Sequence, residues 1–161
     1  GYLNPVMQYG IEKFFKDAAK VGVDGLILPD LPLEEYELHY KSLCESLNLS
    51  ISFLISPTTS EKRIRKIDTL SSGFIYAVSS SSTTGAKQEF SAKQCSYFER
   101  LDTMKLKNPF LIGFGISNKK TYQQACEYSA GAIIGSSFIT SLKSATDLSV
   151  DVEKFVLALR T

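Results

Sequence analysis

Residues Asp24–Asp30 read DGLILPD. Leu26, Ile27 and Leu28 form a continuous apolar run closed by Pro29 and Asp30. A run this short and this evenly apolar is the pattern of a strand buried on both faces, as in a parallel sheet covered by helices on each side. On its N-terminal side, Ile11, Phe14, Phe15, Ala18 and Ala19 recur at helical spacing, so a helix is predicted over Tyr9–Val21. Gly22 follows where a helix C-cap glycine would sit. On its C-terminal side, Tyr36, Tyr40, Leu43, Cys44 and Leu47 make a second helical stripe, and Ile51–Ile55, ISFLI, a second buried strand.

The alternation continues to the end of the chain. Thr58 and Glu61 suggest a capping box ahead of a third helix through Ile64, Ile67 and Leu70. Gly73–Val78, GFIYAV, is a third strand that leads into the polar loop Ser79–Lys87. A helix is predicted over Lys93–Leu106 with Tyr97, Phe98 and Leu101 inward, then a strand over Phe110–Gly113. Ser117 is placed as the cap of a helix through Tyr122, Ala125 and Cys126, followed by a strand over Gly131–Gly135 and a short helix from Ser136. The last helix starts near Val150 and is expected to bury Val152, Phe155, Val156 and Leu159. Strands alternating with helices define an α/β fold with a parallel sheet built from about five βα units. No Pro- or Gly-rich linker divides the 161 residues, so a single domain is expected over 1–161.

Composition narrows the function. Hydrophobic residues make up 43% and charged residues 22%, which suits a buried core. Eighteen basic and seventeen acidic residues leave a net charge of +1, without the basic excess of a nucleic-acid binder. No apolar run reaches the roughly 18 residues of a membrane span, so no membrane partner is expected. A single histidine removes most metal sites, and His39, in a charged helix, reads as a surface residue. Cys44, Cys95 and Cys126 are scattered, which fits reduced thiols in a cytoplasmic protein, mostly packed as small apolar groups. None lies beside a group that would activate it as a nucleophile.

In parallel α/β folds ligands bind beyond the carboxyl ends of the strands. Those ends offer Pro29-Asp30, Ser56-Pro57, the Ser79–Gly85 loop, Gly113–Ser117 (GFGIS) and Gly135-Ser136-Ser137. Glycine lets backbone N–H groups approach a ligand closely, and a helix starting at Ser136 aims its free N–H groups and positive dipole end at an anion. The competing reading is that these glycines only make turns and caps. Asp30 is either a ligand-facing or loop-holding acid, or a turn residue capping backbone N–H groups. Glu34 and Glu35 suit a helix first turn. Tyr76 is a core residue or a ligand contact.

Taken in order, Tyr2-Leu3-Asn4-Pro5, Gly22–Glu35 (GVDGLILPDLPLEE), the SSSSTTGA loop, GFGIS and GAIIGSS resemble the tryptophan synthase alpha chain. The resemblance runs from residue 2 to the C-terminus. It implies a parallel, TIM-type β/α barrel, here incomplete and holding strands four to eight of eight. It also implies a lyase that cleaves indole-3-glycerol phosphate to indole and glyceraldehyde 3-phosphate without a cofactor. The partner it implies is a beta chain, which carries the pyridoxal phosphate. By the same resemblance Gly85, Gly115, Gly135 and Ser136 match phosphate contacts. Ile27, Ile55 and Ile133 match positions lining the indole ring, Tyr76 lies near the substrate, and Asp30 steadies the loops. Thr84 matches a loop-closing threonine, and Asn4 and the Pro32 region match surfaces that face the beta chain. The family's catalytic glutamate and aspartate belong upstream of Gly1. A full barrel needs roughly 250 residues, so the chain is expected to keep the phosphate site, lack turnover and associate through its open edges. The alternative is a short, non-catalytic phosphate-binding β/α module.

Overall fold

Gly10 separates the helix expected over Tyr9–Val21 from a preceding helix that the spacing does not predict. It adopts φ +95°, a conformation glycine reaches without steric cost, and two helices result, α1 (Leu3–Tyr9) and α2 (Ile11–Lys20). The computed structural model describes residues 1–79 and 89–160. Helix α2 ends as its glycine predicts. Gly22, at φ +85°, donates to Ala19 O and Val23 donates to Ala18 O, the paired bonds of a Schellman cap. Phe15 and Ala18 carry its buried face.

The described residues divide into two compact units. The first comprises 1–55, 59–76 and 107–109, and the second the described residues of 56–58, 77–106 and 110–161.

In the first unit β1 (Gly25–Ile27) pairs in parallel with β2 (Ser50–Ser52), Leu26 opposite Ile51. The expected strand over DGLILPD is shorter and only half-buried, because β2 is its one strand neighbour among the described residues. Leu28 leaves the strand but stays buried, and Leu31 N–H closes a turn onto Leu28 O with Pro29 at the second position, where its fixed φ fits. The expected single strand over Ile51–Ile55 is two, β2 and β3 (Leu54–Ile55), because the backbone changes partner between them. Up to Ser52 it pairs with β1, whereas Phe53 O accepts from Tyr76 N–H of β4 (Ile75–Val78).

The second helical stripe forms one continuous run, α3 (Leu33–Glu35), a wide π-helical turn (Tyr36–Tyr40) and α4 (Lys41–Ser46). Tyr36 and Cys44 are buried on its inner face. Helix α5 (Glu61–Leu70) is capped by Ser60, whose hydroxyl accepts from Arg63 N–H, not by Thr58, whose hydroxyl pairs with that of Ser56. A buried carboxylate, Asp68, then fixes the segment before Phe110 by accepting from the N–H groups of Lys107 and Asn108 at 2.8 and 2.9 Å.

The second unit carries the end of β4, α6 (Ala92–Thr103), β5 (Phe110–Gly113), α7 (Lys119–Tyr128), β6 (Gly131–Ile133), α8 (Ser136–Lys143) and α9 (Leu148–Arg160). Tyr97, Phe98 and Leu101 face inward from α6 as the spacing predicts. The cap of α7 is Asn118 rather than Ser117. Its side chain accepts from Thr121 N–H at 2.9 Å, and the Thr121 hydroxyl reaches back to the Asn118 N–H. Strand β6 stops at Ile133, two residues before the expected end, because Gly135 already serves as the N-cap of α8. In α9 Leu159 is buried and Val152 and Phe155 are half-buried, but Val156 is 42% exposed. The inner stripe of α9 is therefore narrower than its apolar content suggests.

Candidate functional site

In the second unit β5 and β6 run parallel with Gly113 opposite Ile133. Both strands therefore release the chain at the same edge, and Gly115 and Gly135 each lie two residues past that last pair. The turn after β5 is tightly held. Phe114 and Gly115 take φ +65° and +75°, two successive residues in the left-handed region. Ser79, at the end of β4 and buried, donates its N–H to Gly113 O at 2.9 Å and its hydroxyl to Phe114 O at 2.6 Å.

After β6 the chain turns directly into α8. Ile139 N–H donates to Gly135 O at 3.0 Å, the first bond of the helix, and no side chain among the described residues caps this end. The heads of α5 and α7 are capped by Ser60 and Asn118. A Cβ placed on Gly135 would meet nothing within 4 Å among the described residues, so the space beside it is open to them. The first-turn N–H groups of a helix have no intrahelical acceptor, and the helix dipole puts partial positive charge there. This end is thus exposed, uncapped and suited in polarity to an anion. Ser136 is exposed at its first turn, and Ile133 is half-buried at the end of β6. Gly85, the remaining expected phosphate contact, and Thr84, the expected loop-closing threonine, lie outside the described residues.

In the first unit, Ile27 is half-buried on β1, Ile55 is 1% exposed on β3, and Tyr76 is half-buried on β4. Burial pushes the Tyr76 phenol above its ordinary value, so the side chain is neutral at pH 7. Asp30 is exposed, and both of its carboxylate oxygens accept from the N–H of Leu3, at 2.8 and 3.0 Å, at the head of α1. The adjacent Gly1 nitrogen donates to Ile27 O at 2.9 Å. These bonds tie α1 to the end of β1. Asn4 is the neighbour of Leu3, and Pro32 occupies the N-cap position of α3 two residues after Asp30; both are exposed.

His39 is a surface residue, its side chain 57% exposed and 3.8 Å from Glu35. Among the described residues no group of three His, Cys, Asp or Glu side chains could hold a metal ion, and no helix is long and apolar enough to cross a membrane. Cys44 is buried, but Cys95 is half-buried and Cys126 exposed, so the expectation of mostly packed thiols fails for Cys126.

Sequence reasoning passed over Ser79 as the first residue of a polar run. It also passed over Gln94, although Ser91-Ala92-Lys93-Gln94 spells the capping-box pattern that brings Gln94 to the head of α6.

Parallel strands with intervening helices define an incomplete β/α barrel. The sequence profile of the family described as tryptophan synthase alpha chain matches residues 1–160, and the chain belongs to that family. It is 48% identical over 160 residues to the tryptophan synthase alpha chain of Bacteroides thetaiotaomicron, covering 99% of this chain and 61% of the relative. To that of Parabacteroides distasonis it is 51% identical over 160 residues, covering 99% and 62%. Among solved structures, it superposes on a chain from the tryptophan synthase α2β2 complex of Pyrococcus furiosus with a TM-score of 0.84 at 27% identity, covering 98% of this chain and 64% of that one. The chain therefore spans about three fifths of the length of the curated relatives it matches.

Proposed function

We propose that this chain is the phosphate-binding part of a tryptophan synthase alpha subunit, a cytoplasmic lyase that cleaves indole-3-glycerol phosphate to indole and glyceraldehyde 3-phosphate. The observation that carries this reading is the parallel register of β5 and β6. It brings the Gly115 turn and the uncapped head of α8, Gly135-Ser136, to one edge. Two sets of backbone N–H groups then face a phosphate, with no side chain of either glycine in the way. By resemblance to the family Gly85 completes the set, and Thr84 matches the loop-closing threonine. By the same resemblance Ile27, Ile55, Tyr76 and Ile133 match indole-lining positions, and Asp30 acts by holding the head of α1 rather than by touching substrate. All belong to a single barrel domain over 1–161.

The cleavage needs one group to protonate the indole ring carbon and another to take a proton from the glycerol hydroxyl. The resemblance places that pair upstream of Gly1, so the 161 residues alone bind but do not turn over. The alpha subunit itself uses no cofactor, pyridoxal phosphate belonging to the beta chain. The exposed pair Asn4 and Pro32, brought near each other by the Leu3–Asp30 bonds, is the surface offered to that beta chain. The chain alone associates through its open edges, the sides of β1 and β6 that have no strand neighbour among the described residues, and through the inner sheet face.

Calorimetric titration with glycerol 3-phosphate tests the site. Gly135→Asp puts a carboxylate into open space, so it is tolerated sterically and lowers affinity at least tenfold, roughly the effect of one like-charge contact at short range. Unchanged affinity in that variant refutes the phosphate assignment. Indole released above background from indole-3-glycerol phosphate refutes the placement of the acid/base pair. Light scattering that finds a monomer at micromolar concentration refutes the self-association.

A further inference from the structure

We propose that Gln94 is a positioning residue for the Gly113–Gly115 turn and, through it, for the phosphate site, an inference that rests on the reading of that site given above. Gln94 lies in the first turn of α6 and is only 7% exposed. A buried glutamine amide offers one acceptor and two donors, and each seeks a partner. Its Oε1 accepts from the Ser91 N–H at 3.1 Å and from the Ser91 hydroxyl at 2.9 Å. This is capping chemistry that glutamate would supply equally well. Its Nε2 donates to Ser79 O at 3.1 Å, which glutamate cannot do.

Ser79 passes the constraint on. Its N–H goes to Gly113 O and its hydroxyl to Phe114 O, so hydrogen bonds run unbroken from the head of α6 to the peptide that precedes Gly115. Backbone in the left-handed region at a non-glycine residue such as Phe114 persists only where its surroundings over-determine it. The Ser79 contacts are that over-determination, and Gln94 fixes Ser79 from the other side. The direction of the Gly115 N–H is thereby set by a side chain outside the turn.

The test is Gln94→Glu in the 161-residue chain. It keeps the acceptor for Ser91 and replaces the donor to Ser79 O with a second carboxylate oxygen. Inorganic phosphate is titrated while the Gly115 amide is followed by NMR. The Gly115 signal moves in the absence of phosphate, and phosphate binds about tenfold more weakly, the loss of one buried donor to a carbonyl and the repulsion in its place. Ser60→Ala, the cap of α5, is the control; it lowers stability by a comparable amount and leaves both readouts unchanged. A Gly115 amide that stays in place in Gln94→Glu, or an affinity that matches the parent, overturns the proposal. If the parent shows no phosphate-dependent shift, the phosphate reading fails by itself, and the Gly115 amide without ligand decides the positioning role. If Gln94→Glu does not fold, Ser79→Ala cuts the last link and must move the Gly115 amide; an unmoved signal there overturns the proposal equally.

Discussion

Ser79 donates its hydroxyl to the carbonyl oxygen of Phe114 at 2.6 Å, across 35 residues of sequence. The bond fixes the peptide that leads into Gly115, and Gly115 itself sits at φ +75°. A Cβ on Gly115 would stand 3.6 Å from Ser79 Oγ, an ordinary contact, so space is not the constraint. Backbone conformation is. Gly115→Ala is expected to cost about 1–2 kcal/mol, the penalty of an L-residue in the left-handed region. Urea denaturation measures it, and a loss under about 0.5 kcal/mol would mean the turn relaxes freely.

Asp68 is the second place where a single side chain holds a distant segment. It is 8% exposed and accepts from Lys107 N–H, Asn108 N–H and Asn108 Nδ2, while Asn108 Nδ2 also donates to Asp68 O at 2.6 Å. The segment it holds follows Lys105, another non-glycine residue at positive φ, and leads into β5. Asp68→Ala strands these donors and is expected to cost about 3 kcal/mol, the range for hydrogen bonds to a charged group. Asn108→Ala, which keeps the two backbone bonds, costs about 1 kcal/mol. The denaturation midpoint falls in both with the slope unchanged. Equal losses in the two variants would show that the side-chain bond, not the backbone pair, does the holding.

The alternation of strands and helices was legible because apolar runs and helical stripes follow directly from burial. Phe110–Gly113 falls on its predicted bounds, and Tyr97, Phe98 and Leu101 point inward as their spacing requires. The local punctuation was less legible. Gly10, Ser60 and Asn118 each took a role assigned to a neighbour or to none. Cap choice depends on the entry angle of the chain, which tertiary packing sets. The split of Ile51–Ile55 was invisible because no glycine, proline or charged residue separates its halves, and only the identity of the facing strand divides them. At the site, Gly115, Gly135 and Ser136 were readable as glycine-bearing strand ends. Ser79 and Gln94 were not, because their roles are hydrogen bonds over long sequence distance, which composition and period do not record.

The three thiols are expected to separate by exposure. Burial pushes the Cys44 thiol up to about 11, so it is protonated and inaccessible at neutral pH. Cys126 is exposed and Cys95 half-buried. An aromatic disulfide reagent at pH 8 modifies Cys126 first, Cys95 more slowly and Cys44 only on unfolding. Mass mapping of the labelled peptides checks the order. Early labelling of Cys44 would mean that the inner face of α4 opens in the native chain.

Tyr97 has a buried hydroxyl with no hydrogen-bond partner among the described residues. Its ring packs against Phe98 at 5.6 Å between centroids, and the Arg100 guanidinium lies 5.5 Å from its centre. The ring is thus well used and the oxygen is not. Tyr97→Phe keeps the packing, removes an unsatisfied polar atom and is expected to stabilise the chain by about 1 kcal/mol. The pH dependence gives an independent check. A phenol is neutral when protonated, and burial raises the Tyr97 pKa above its ordinary value of 10.0. The unfolded state therefore releases this proton first. Its contribution to stability is complete below about pH 10 and declines as pH rises beyond it. Tyr36, pushed up to about 12 by burial, acts in the same direction and is present in both proteins. Urea midpoints compared at about pH 8 and about pH 11 should fall further for the parent than for Tyr97→Phe, since the variant has one fewer buried phenol to ionise on unfolding. Parallel falls in the two proteins would show that Tyr97 ionises as easily folded as unfolded, and that its hydroxyl reaches water or a polar partner.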